Sequence, residues 1–130
     1  RLTPRIAAAI GAERELAREA RRDGRPSVAR SGAFFTDGDG KRVELGTRRA
    51  LRNILARFAI AATTTDTPRL TVDDLFKAGW PGERATSSAA ATRVYVALAT
   101  LRREGLKELI QRDAAGYFLD GAGALDIVDA

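Results

Sequence analysis

Apolar positions along this chain recur with two periods, one helical and one of strands. In residues 48–62, Leu51, Ile54, Leu55, Phe58 and Ala62 follow i, i+3, i+4, i+7 spacing, which predicts a helix with one buried face opening at Thr47. Thr71 with Asp74 three residues on is a capping signal, so a short helix starts there with Val72, Leu75 and Phe76 turned inward. The run GWPGER (79–84) then reads as a turn-rich loop with Trp80 as an anchor into the core. Residues 87–104 form a further helix, capped by Ser87 or Ser88 and stopped by Gly105. With Val94 at its inward centre, Ala91, Leu98 and Leu101 fall within about 60° of it, at about 100° per residue. Tyr95 lies at the edge, and Thr92, Arg93, Val96, Thr100 and Arg103 face the opposite way. Ala97 and Ala99 are read as sharing that outer stretch.

Strand signals flank these helices. Ala33–Thr36 and Arg42–Leu45 enclose DGDGK (37–41), whose Asp-Gly pairs supply the positive φ that a hairpin turn needs. DGDG also looks like part of a calcium loop, but no carboxylate stands at the far end to complete one. Residues 108–119 read as a closing hairpin. Leu109, Ile110 and Gln111 form one arm, Asp113–Gly116 the turn, and Tyr117, Phe118 and Leu119 the other arm. Ahead of all this, Thr3 and Pro4 open a predicted helix over 3–22 with a thin apolar stripe and a charged face, ended by Asp23-Gly24-Arg25-Pro26. The chain therefore divides into an N-terminal helix and linker (1–30), a folded domain (31–120) and a peripheral acidic tail (121–130). The fold class is α+β, with a mainly helical core and two small hairpins. That core is expected to contain Leu51, Ile54, Leu55, Phe58, Leu75, Phe76, Trp80, Val94, Leu98, Leu101, Leu109 and Tyr117.

Composition narrows the chemistry. The 130 residues include no Cys and no His, so zinc sites, thiol nucleophiles and Ser-His-Asp triads have no raw material. Asp37, Asp39, Asp73, Asp74 and Glu83 are the candidate acids, yet none is paired with a base or nucleophile, and no GxxxxGK phosphate loop occurs. No enzymatic activity, cofactor or metal is expected. No apolar run is long enough for a membrane span, and a cytoplasmic setting is expected. The chain has no Met and starts at Arg1, which reads as a fragment of something longer. The net charge of +5 favours polyanionic partners. All 22 Lys and Arg lie within 1–112; of the 17 acids, four (Asp113, Asp120, Asp126, Asp129) fall in 113–130, leaving 13 upstream. The acidic end is either a solvated tail or a competitor for the basic face.

The order helix, short helix, loop, long helix, closing hairpin resembles a winged helix-turn-helix, and four segments resemble the DNA-binding output domain of OmpR/PhoB-type response regulators. They are VELGTRRALRNILARF, with a strand ending in Leu before the first helix; DDLFKAGWPG, a short helix running into Trp; Val94, Val96, Leu98, Leu101 and Arg102, spaced as V-x-V-x-I-x-x-L-R; and the Gly-Tyr wing Gly116-Tyr117-Phe118-Leu119. The resemblance covers about residues 32–120. It implies a three-helix core with an N-terminal hairpin and a C-terminal wing, to which this chain adds its N-terminal helix. It further implies that the exposed face of the 87–104 helix reads double-stranded DNA while the wing touches the backbone. The DNA-binding residues implied are Thr92, Arg93, Val96, Thr100, Arg103, Lys107 and Arg112. Three departures stand out: the outer helix face is poor in cations, the wing turn carries Asp113 where the family often places Arg, and the family's larger N-terminal sheet is reduced here to a hairpin. Outward Val96 also suits a protein partner, so the alternative is a protein-interaction winged helix, docking or dimerising through the Val96 face or the N-terminal helix.

Overall fold

The computed structural model describes residues 25–64, 66–120 and 125–129. The predicted helix over 3–22 lies outside them. The described residues form an α+β domain in the order β1 (Ser27–Ala29), β2 (Phe34–Thr36), β3 (Arg42–Glu44), α1 (Arg49–Thr63), α2 (Val72–Gly79), α3 (Ser87–Leu101), β4 (Ile110–Asp113), β5 (Gly116–Leu119) and β6 (Asp126–Val128).

Both predicted hairpins are present. β2 and β3 pair antiparallel with Phe35 opposite Val43, and one oxygen of the Asp37 carboxylate accepts from the amides of Asp39 and Lys41, both at 2.9 Å, so that side chain builds the turn. β4 and β5 pair with Gln111 opposite Phe118. The larger sheet is not a hairpin but four strands in the order β3-β2-β1-β6. Val28 of β1, inside the segment read as linker, sits opposite Phe35 on one side and Ile127 on the other. The tail read as peripheral supplies β6, parallel to β1. Its acids are taken up locally: Asp126 pairs with Arg25 at 2.6 Å and Asp129 with Arg30 at 2.8 Å. Both pairs involve arginines that flank β1.

One apolar cluster joins sheet to helices. Val28, Phe35, Val43 and Leu45 meet Leu51, Ile54, Leu55 and Phe58 of α1, Leu75 and Phe76 of α2, and Val94, Leu98 and Leu101 of α3. Of the expected core, Trp80 and Leu109 are only partly buried. Trp80 ends α2 and stacks on Phe76 with ring centroids 5.5 Å apart, at the rim of the core. Ala97, read as outward, is 5% exposed: it lies one turn after Val94 and lines the inward side.

The helix ends show how local chemistry sets boundaries. α2 has the full capping box: the Asp74 amide donates to Thr71 Oγ1 at 3.1 Å and the Thr71 amide donates to the Asp74 carboxylate at 2.9 Å. α3 is capped by Thr86, not Ser87 or Ser88, because Thr86 Oγ1 accepts from the Ala89 amide at 3.1 Å. α1 starts at Arg49 with Arg48 in the cap position and no capping side chain; Thr47 does not serve. The α-helical hydrogen bonding of α3 ends at Leu101, but Arg102–Glu104 keep a helical backbone and the break falls at Gly105, as the sequence predicts. Gly105 there has φ +146°. Glycine takes this φ without the strain a side chain would bring, and burying Leu106 beyond it, which has no exposed surface, stabilises by roughly 1.5–3 kcal/mol.

Candidate functional site

α3 is buried on one side and open on the other, and the sequence-predicted site residues divide along it. Thr92, Arg93, Val96 and Thr100 come together with Arg48, Arg49, Leu51, Trp80 and Ala97 around an open groove of about 660 Å³ between α3 and the start of α1. Arg112 lies instead on the far flank, in a second cleft with Tyr95, Thr71 and the wing turn. Arg103 follows Leu101 just before the kink at Gly105 and Lys107 lies just after it, both exposed. The open side of α3 thus runs between a groove edged by α1 arginines and the β4–β5 hairpin, edged by Arg112.

The side chains on this face have distinct chemical capacities. Val96 is 61% exposed and Tyr95 51% exposed, so the middle of the helix presents apolar and aromatic surface. Thr92 Oγ1 donates to the Ser88 carbonyl at 3.0 Å and Thr100 Oγ1 to the Val96 carbonyl at 2.9 Å. With their protons directed into the helix, these hydroxyls offer lone pairs outward and suit amino-group donors rather than phosphates. Arg93 donates to Glu83 at 2.7 Å, and its guanidinium lies 6.0 Å from both the Phe76 and Trp80 rings. Both partners are about half exposed, and an ion pair of this kind stabilises by about 0–1 kcal/mol. Arg103, Lys107 and Arg112 make no ion pair among the described residues.

The β4–β5 hairpin is held from behind. Leu70, in the α1–α2 connection, exchanges two backbone hydrogen bonds with Tyr117 at 2.9 and 2.8 Å, adding a bridge beside the β4–β5 hairpin. Arg69 donates to Asp113 at 2.8 Å and to the Thr67 carbonyl at 2.7 Å, and its guanidinium covers the Phe118 ring at 3.5 Å. Asp113 also accepts from the Ala115 and Gly116 amides at 2.9 and 3.2 Å. The aspartate that stands where a DNA-contacting arginine was sought is therefore a turn-building residue. The Arg69 hydrogen bond, then the Ala115 amide, hold its carboxyl below the usual aspartate range. A depressed folded-state pKa means that the stabilisation is present at neutral pH and is lost as pH falls through the depressed value. In an NMR titration, the Ala115 and Gly116 amide shifts should therefore move only below the ordinary aspartate range. A transition centred at the ordinary value would contradict the Arg69 clamp.

Arg48 and Arg49 were not among the predicted site residues, yet they line the α3 groove. A signal for them exists: residues 46–65 hold four arginines and no acid, two of them at the start of a helix, where the macrodipole disfavours cations. Arg48 reaches Glu104 at 3.6 Å; Arg49 makes no ion pair among the described residues. Among the described residues no group of acids is placed to hold a metal ion, and no helix is long and apolar enough to cross a membrane. No protein-family model matches this chain, and neither a curated protein nor a solved structure matches it.

Proposed function

We propose that this domain, β1 to β6, is a winged helix-turn-helix that binds double-stranded DNA, the output module of a larger transcriptional regulator, with no catalytic chemistry of its own. The observation that carries this reading is the setting of α3: a helix buried on one side, open on the other, and bracketed by cations. Arg48 and Arg49 edge one flank, Arg112 the other, and Arg103 and Lys107 follow its end. A major groove admits one helix, and phosphates on either side of that groove would meet the bracketing cations. The bridge from Leu70 to Tyr117 and the Arg69 clamp support a wing rigid enough to reach the adjacent backbone. The lone-pair-presenting Thr92 and Thr100 suit the amino groups on base edges.

A second reading, a protein-interaction winged helix, is favoured by one observation: exposed Val96 lies beside a groove whose floor includes Leu51, Trp80 and Ala97. Binding of the chain to random-sequence duplex DNA at two salt concentrations separates the two. Phosphate contacts by the five bracketing cations predict a slope of log affinity against log salt of about −4.5. No binding at low salt would reject the DNA reading and leave the Val96 groove as the site to pursue.

A further inference from the structure

We infer that Glu83 is an affinity-setting residue, whose carboxylate occupies the Arg93 guanidinium that would otherwise take a DNA phosphate and so weakens sequence-independent attachment. The inference rests on the DNA-binding reading. Arg93 is the one cation within α3 itself, and it stands on the groove flank of the open face. A guanidinium receives a carboxylate and a phosphate through the same fork of N–H donors, so Glu83 at 2.7 Å holds the place of a phosphate oxygen.

Glu83 is aimed there by its own backbone. Pro81 and Gly82 form a tight turn in which the Glu83 amide donates to the Trp80 carbonyl at 3.1 Å, and Gly82 takes φ +81°, as a type II turn requires. Trp80 is in turn stacked on Phe76 beneath Arg93. The turn thus places the carboxylate beside Arg93, and the half-exposed pair must open before a phosphate can take the guanidinium. Opposing indiscriminate backbone contact at the reading helix is a form of selection against wrong sites.

The test is a double-mutant comparison on random-sequence duplex DNA, with thermal melting to verify folding. At ~50 mM salt Glu83→Gln should tighten binding by roughly two- to fivefold and steepen the salt slope by about 0.9, the equivalent of one phosphate contact. In an Arg93→Ala background the same change should give no gain. If the native chain binds DNA and Glu83→Gln leaves affinity and slope unchanged, the inference is overturned. It is also overturned if the gain persists without Arg93, because Glu83 would then act only as a distant negative charge. Absence of binding by both the native chain and Glu83→Gln would overturn the DNA reading and the inference with it.

Discussion

Gly32→Ala is expected to be the most damaging single-methyl change in the domain. Gly32 turns the chain between β1 and β2 with φ +78°, and a Cβ there would lie 2.0 Å from the Arg52 carbonyl oxygen and 2.8 Å from the Ala56 amide nitrogen. Both obstacles are backbone of α1, so no side-chain rotation relieves them. A left-handed non-glycine residue costs about 1–3 kcal/mol, and overpacking against an immovable neighbour adds about 1–3 kcal/mol. A loss near 3 kcal/mol is a large share of a small domain's total, about 5–15 kcal/mol, and lowers Tm by about 15 °C. Gly38 and Gly46 supply the control, since a Cβ at either meets nothing within 4 Å and neither has positive φ. Gly38→Ala and Gly46→Ala should stay within about ±0.5 kcal/mol. Calorimetry on the three variants decides the matter; an unshifted melt for Gly32→Ala would mean that the sheet does not approach α1 this closely.

The largest functional effect is expected from removing the unpaired cations at and beyond the end of α3. Changing Arg103, Lys107 and Arg112 together to Ala should weaken duplex binding on the order of a hundredfold at low salt, and flatten the salt slope by about 2.7, three phosphates' worth. Folding should be untouched, because all three side chains are exposed and none makes an ion pair among the described residues. The fall should be similar across DNA sequences, as expected of contacts to phosphates rather than base edges. An unchanged slope would show that the wing side of α3 does not face DNA.

Sequence pattern alone located the three helices because each carries its own evidence: the Leu51–Phe58 stripe, the Thr71–Asp74 capping box, and the Val94–Leu101 inward line. It located both hairpins through their turns, DGDGK and Asp113–Gly116. It missed β1 and β6 for a physical reason. Ser27–Ala29 and Asp126–Val128 are three residues each, too short for a period of two to register, and each is stabilised by a partner about a hundred residues away. Ala97 was misplaced because alanine is compatible with either face of a helix, and Thr86 lost to the serines because three adjacent hydroxyls all qualify as caps. On the candidate site, spacing brought Thr92, Arg93, Val96 and Thr100 together correctly. Their bracketing by Arg48 and Arg49 needed tertiary structure, as did the pairing of Arg93 with Glu83 ten residues earlier. Asp113 shows the reverse case: read as a departure from a DNA-contacting wing, it is explained by Arg69, a residue 44 positions away.

The parallel pairing of β1 with β6 also gives the domain a mechanical character. Because the two strands run side by side in the same direction, tension applied at residue 25 and residue 129 drags them past one another along their length. Their hydrogen bonds, together with the Arg25–Asp126 and Arg30–Asp129 pairs, are then loaded in shear as a group instead of being peeled open one at a time. A tether fixed at one end and a pull at the other would meet resistance at the sheet before any force reached α3.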